Sequence, residues 1–132
     1  MNWKQTCISD VQAAVRHGKP SATELAELCF QEIVAQNPAI NAYLSVSRER
    51  ALHAAANIDQ LAAQGTPLPP LAGVPIGIKD VLVMTGSPAT AGSRILEGYI
   101  PPYDATVVKR LEAAGAVLLG KLNCDEIGRA HV

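Results

Sequence analysis

Two short apolar runs, Gly73–Ile78 and Ala116–Leu119, flank a single helix-like stretch, Asp104–Ala114. That order constrains the fold more than any other feature of the chain. The first run carries β-branched residues at Val74, Ile76 and Ile78, and the second is an unbroken apolar block that reads as a buried strand. Between them Val107, Val108, Leu111 and Ala114 recur at helical spacing, with Asp104 placed as an N-cap and Gly115 as the stop. Strand, loop, helix and strand in succession make a βαβ unit, whose two strands run parallel with a right-handed crossover. The expected class is α/β, with a sheet covered by helices on both faces. Pro75 has no amide hydrogen to give to a ladder, so it belongs at a strand start or an edge.

Ahead of Thr66-Pro67-Leu68-Pro69-Pro70, a connector that cannot be helical, the chain reads as three helices. Ser9 or Asp10 caps the first, which runs to Arg16 and stops at Gly18, with Pro20 blocking continuation. Ser21-Ala-Thr-Glu24 is a capping box for the second, in which Leu25, Leu28, Cys29 and Ile33 follow at helical spacing. Asn37-Pro38 is its expected end. The third starts near Ser47, carries a narrow stripe of Ala51, Ala54, Ala55, Ile58, Leu61 and Ala62, and closes at Gly65. Alanine-rich stripes suit close helix packing, which accounts for an aromatic content of only 4%.

Charge and cysteine usage narrow the function classes. A formal net charge of −1 argues against a nucleic-acid arm or a polybasic membrane patch. The opening MNWKQTCISD has no long apolar run, so neither a signal peptide nor a membrane span is expected, and the expected location is the cytoplasm. Cys7, Cys29 and Cys124 lack CxxC spacing, so no metal site or disulfide framework is expected, and Cys29 reads as a small core residue. His17 falls at a helix C-terminus, His53 on a solvated helix face and His131 at the chain end, so they give no Ser-His-Asp order. Cys124 beside Asp125 and Glu126 has no evident base. The loop Thr85–Ser93 is rich in glycine and hydroxyls, but no lysine follows its second glycine, so it is not a phosphate-binding P-loop.

Lys79 is the sharpest local feature. It lies just past a strand of a parallel pair, and ligands of open α/β sheets bind outside the carboxyl ends of strands. Its neighbours Pro75–Ile78 are apolar, and a desolvated lysine can lose its proton and serve as a base. The other reading is a strand-end lysine with its stem on apolar surface and its head in water. Asp80 beside it either turns the following loop or pairs with a cation.

Leu71-Ala-Gly-Val-Pro-Ile-Gly-Ile-Lys-Asp80 resembles the opening motif of the amidase signature family. Tyr99-Ile-Pro-Pro-Tyr-Asp-Ala-Thr-Val-Val108 and Ala114-Gly-Ala-Val-Leu-Leu-Gly-Lys-Leu-Asn-Cys-Asp-Glu126 continue that resemblance in the same order. Ser93-Arg-Ile-Leu-Glu97, with Asn41-Ala-Tyr43 and Asp59 in the helical half, is similar to one branch, the A subunits of the aspartyl/glutamyl-tRNA(Asn/Gln) amidotransferases. The resemblance implies the N-terminal part of the amidase signature fold: a helical segment followed by the βαβ strands of a mixed sheet covered by helices. It implies amide hydrolysis by a Ser–cis-Ser–Lys triad whose base matches Lys79. In that branch the amide is glutamine. The ammonia released passes to B and C partner subunits, where ATP with magnesium activates misacylated Asp-tRNA(Asn) or Glu-tRNA(Gln). No cofactor is expected on this chain itself.

The resemblance stops after Glu126, so residues 1–126 are expected to be an incomplete amidase domain and residues 127–132 a non-matching tail. Glu126–Val132 can be encoded by GAG-ATC-GGA-AGA-GCA-CAC-GTC, which contains a common sequencing-adapter string, so an artefactual tail is one expectation and a natural tail the other. No serine in the 132 residues matches either triad serine, so these residues alone are expected to be inactive. Two other functions compete: a general amidase acting on small amides, and a non-catalytic binding module that kept the sheet without the serines.

Overall fold

The computed structural model describes residues 6–124. In chain order they form α1 (Ile8–His17), α2 (Ala22–Ile40), β1 (Tyr43–Val46), α3 (Arg48–Ala63), β2 (Pro75–Lys79), a 3-10 turn (Arg94–Leu96), α4 (Thr106–Ala113) and β3 (Val117–Leu122). The expected βαβ unit is present: β2 and β3 pair in parallel, with Pro75 opposite Val117 at the strand start. β1 adds itself antiparallel to the other side of β3, giving the order β1-β3-β2 and a mixed sheet.

The two faces of the sheet are covered by different layers. Val117 and Leu119 of β3 join Val15, Leu25, Phe30, Ala51, Ala55 and Ile58 in a core built with α1, α2 and α3. Ala116 and Leu118, on alternate positions, join Ile78, Met84 and Val108 in a second core under α4. Burying a large apolar side chain of this kind contributes roughly 1.5–3 kcal/mol.

The cap of α2 follows its sequence. The Glu24 amide donates to Ser21 Oγ at 3.1 Å and the Ser21 amide donates to Glu24 Oε2 at 2.9 Å. A second acceptor comes from α3. Asp59 takes the Ala22 amide at 2.6 Å, the Thr23 amide at 3.0 Å and the Thr23 hydroxyl at 2.6 Å, placing a carboxylate on the positive end of α2. Asp59→Ala is expected to cost about 1–2 kcal/mol, read as a lower urea midpoint of the full-length protein, and an unchanged midpoint would contradict this docking role.

Three element ends differ from expectation. Cys7, not Ser9 or Asp10, is the N-cap of α1; Asp10 sits one turn in and accepts the Cys7 amide at 2.8 Å. α2 runs through Pro38 to Ile40 and closes at left-handed Asn41. Pro38 sits in the last turn, where the acceptor that loses its donor belongs to Val34, a residue 76% exposed. The Asn37 side chain then brackets Tyr43, donating to its carbonyl at 2.9 Å and accepting its amide at 2.7 Å, which starts β1. α4 is capped at Ala105 because Asp104 is committed to Arg50 and to the Thr85 amide.

Candidate functional site

The candidate site lies at the carboxyl ends of β2 and β3, where the parallel pair opens into the loop of residues 80–93. Lys79 is the last residue of β2, opposite Leu122, and its side chain is exposed. Of the two readings of Lys79, the described residues show the second, a strand-end lysine whose side chain reaches solvent.

The buried lysine is Lys121. Its side chain is 0% exposed and that of its partner Asp80 is 1% exposed. Lys121 Nζ donates to Asp80 Oδ1 at 2.8 Å, to the Pro88 carbonyl at 3.1 Å and to the Asp80 carbonyl at 3.4 Å. The second carboxylate oxygen of Asp80 accepts the Thr90 amide at 2.9 Å and the Thr90 hydroxyl at 2.6 Å. Burial pushes the Asp80 carboxyl up, but the donors on Lys121 and Thr90 outweigh it and hold the group below its ordinary value. Asp80 thus pairs with a cation, and it holds the following loop through Thr90, ten residues on, and not by a local Asx turn.

Lys121 reaches Asp80 through a fault in the strand register. Ile76 pairs with Leu118 but Gly77 pairs with Gly120, so Leu119 is an extra residue in β3. Without it, Lys121 would share the face of Val117 and Leu119. With it, Lys121 lies opposite Ile78 on the α4 face, beneath the loop. Gly120 makes the fault possible: its φ is 155°, and a Cβ there would stand 2.2 Å from the Ser45 carbonyl oxygen of β1.

A cavity of about 370 Å³ opens beside this network, lined by Ser45, Asp80, Pro88, Thr90, Arg94 and Asn123 among others. Ser45 Oγ is buried without a hydrogen-bond partner among the described residues. A second cluster ties α3 to α4. Arg50 donates to Glu112 at 2.6 and 2.8 Å, to Asp104 at 3.1 and 3.0 Å and to the Thr85 carbonyl at 3.2 Å. Hydrogen bonds to Glu112 first, then Asp104, raise the already high Arg50 value, and Arg50 in turn holds Asp104 low.

The other candidates fall elsewhere. Cys29 packs against the helical core, and burial, aided by Glu32, pushes its thiol up to about 11. Cys7 is exposed and Cys124 half-buried, both as free thiols. His17 is in the last turn of α1 and His53 is exposed. Asp125, Glu126 and His131, with the expected boundary at 126 and the tail 127–132, lie outside the described residues. Among the described residues no three His, Cys, Asp or Glu side chains gather as a metal site, and no helix is long and apolar enough to cross a membrane. Sequence reasoning does not single out Thr90 or Lys121. The available signal for Lys121 is a charged residue one step past Gly120 in an otherwise apolar run.

The family model described as Amidase matches residues 24–131. The chain belongs to the amidase family. Among curated relatives it is 54% identical over 119 residues to the A subunit of the glutamyl-tRNA(Gln) amidotransferase of Koribacter versatilis, covering 90% of this chain and 25% of that protein. It is 53% identical over 119 residues to the protein of the same name from Chloroflexus aurantiacus, covering 90% of this chain and 24% of that one. Among solved structures, the native peptide amidase of Stenotrophomonas maltophilia superposes with a TM-score of 0.86 at 34% identity, covering 95% of this chain and 26% of that one. A bacterial aryl acylamidase of the amidase signature family superposes with a TM-score of 0.82 at 26% identity, covering 89% of this chain and 25% of that one. This chain spans about a quarter of the length of the curated relatives it matches. The α/β architecture described above is that of these amidase signature enzymes.

Proposed function

We propose that this chain supplies the lysine base, Lys79, of the amide-hydrolysing component of a tRNA-dependent amidotransferase. The observation that carries the reading is the 54% identity to the A subunit of a glutamyl-tRNA(Gln) amidotransferase, against 34% and 26% to the peptide amidase and the aryl acylamidase. The geometry supports the same residue. Lys79 stands at the carboxyl end of a parallel strand with its side chain free to meet groups from outside, whereas Lys121 is committed to Asp80.

In this mechanism Lys79 Nζ takes a proton from the cis-serine hydroxyl, which takes one from the nucleophilic serine as that oxygen attacks the glutamine side-chain amide carbon. The C–N bond breaks with proton return to the leaving nitrogen, ammonia departs, and water hydrolyses the acyl-enzyme to glutamate. Both serines belong to the full-length protein, and none within these 132 residues corresponds to them. The B and C subunits receive the ammonia, and ATP with magnesium activates misacylated Asp-tRNA(Asn) or Glu-tRNA(Gln) there. No residue of this chain is assigned to ATP or to a metal. The setting is cytoplasmic protein biosynthesis.

The test is glutamine hydrolysis and tRNA amidation by the full-length protein reconstituted with B and C subunits. Lys79→Ala is expected to lower turnover by about 10³-fold or more, since a base and the nucleophile it serves act as one unit. The 132 residues alone are expected to turn over no glutamine above the same chain carrying Lys79→Ala. Full activity of Lys79→Ala would overturn the assignment. The likeness to a peptide amidase and an aryl acylamidase favours a second reading, a general small-amide amidase. Hydrolysis of small amides with no tRNA amidation in the reconstituted complex would select it. Folded full-length protein with neither activity would instead support the binding-module reading.

A further inference from the structure

We infer that Asp80, Lys121 and Thr90 are positioning residues for Lys79, a clamp that sets where the base stands and couples it to the loop of residues 85–93. The inference rests on the reading of Lys79 as the base and deepens it.

Lys79 is held from both sides along the chain. On its N-terminal side Ile78 is buried in the core under α4, opposite Lys121. On its C-terminal side Asp80 is fixed at four points: its amide donates to the Leu122 carbonyl at 2.9 Å, its carbonyl takes Lys121 Nζ at 3.4 Å, Oδ1 takes the same ammonium at 2.8 Å, and Oδ2 takes both donors of Thr90. The Lys79 carbonyl itself accepts the Leu82 amide at 2.9 Å. Strand alternation then sends the Lys79 side chain to the face opposite Ile78 and Lys121. The exposed side chain thus starts from a main chain that has little room to move.

The same clamp holds the loop. Thr90 Oγ1, besides donating to Asp80, accepts the Gly92 amide at 3.3 Å, and Ala91 and Gly92 turn the chain with φ of 51° and 73°. Lys121 reaches the loop at the Pro88 carbonyl. A buried ion pair is an inefficient source of stability, since well-packed apolar residues commonly do as well. What it does supply is a single geometry, because both charges must stay satisfied. A base that relays protons through hydroxyls needs such placement, as misplacement by about 1 Å is worth about a hundredfold in rate.

The test uses the full-length enzyme in its complex, with glutamine turnover followed as kcat and KM separately. Thr90→Val removes one donor to Asp80 and leaves the Thr90 amide in place. It is expected to lower kcat about tenfold with KM for glutamine changed less than about twofold. Thr90→Ser, which keeps the hydroxyl, is expected to recover most of that loss. Asp80→Asn is expected to lower kcat further than Thr90→Val in whatever fraction folds, with Tm measured alongside. Equal kcat for wild type and Thr90→Val at any Tm would overturn the inference, as would a Thr90→Ser variant no better than Thr90→Val. If Lys79→Ala keeps its turnover, the assignment of the base falls and the clamp's catalytic role with it. If Lys79→Ala is inactive while Thr90→Val is unimpaired, only the clamp's role falls.

Discussion

Asp80→Ala is expected to lower the unfolding free energy of the full-length protein by about 3–5 kcal/mol, a large share of the roughly 5–15 kcal/mol typical of a domain. The substitution strands Lys121, whose side chain is fully buried, with only the Pro88 and residue-80 carbonyls at 3.1 and 3.4 Å. It also releases the amide and hydroxyl of Thr90. The loss comes mostly from the uncompensated ammonium, so Lys121→Met added to Asp80→Ala is expected to restore much of the stability. Urea unfolding of both variants decides this: a loss below about 1 kcal/mol for the single variant, or no recovery in the double, contradicts it. The pH dependence has a definite sign. The folded-state value of Asp80 lies below its ordinary 3.8, so its contribution is present above the unfolded-state value. It is lost as pH falls through the folded-state value. The wild-type advantage over the double variant should therefore shrink in acid, below pH 3.8, and be flat near neutrality.

The parts of this molecule that are readable from sequence are those where one local rule acts alone. The order of apolar run, helix and apolar run suffices for the parallel β2–β3 pair, and Ser21 with Glu24 suffices for the start of α2. Where a residue has two possible partners, the distant one wins. Asp104 is a good helix cap by type, yet Arg50 offers it a forked, charge-assisted pair from α3, and the cap passes to Ala105. β1 escapes a sequence reading because Tyr43–Val46 is four residues long with no turn chemistry of its own. It exists because the edge of β3 is there to receive it. The site divides in the same way. Lys79 is visible from its place after a strand, but the buried lysine is Lys121, whose burial depends on the extra residue in β3. Alternation counted along the sequence puts Lys121 on the wrong face, and only the pairing register reveals the correction.

Gly120→Ala is expected to destabilise the full-length protein by about 2–6 kcal/mol, combining about 1–3 for a backbone conformation that side chains avoid with about 1–3 for overpacking. The added Cβ would meet the Ser45 carbonyl oxygen at 2.2 Å and Val46 Cα at 2.9 Å. Both are backbone atoms of β1, so no rotamer change relieves the contact. Either β1 leaves β3 or Gly120 leaves its φ of 155°. The second route undoes the register fault and carries Lys121 away from Asp80, so the damage reaches the candidate site. Gly77→Ala is the control. Its Cβ would come within 2.8 Å of Leu122, but of side-chain carbons that can turn aside, and no positive φ is involved. It is expected to cost about 1 kcal/mol, within the range for modest overpacking. Paired urea midpoints test the contrast: comparable losses at the two glycines would mean that β1 yields easily, and that the close approach of its backbone does not hold the fault in place.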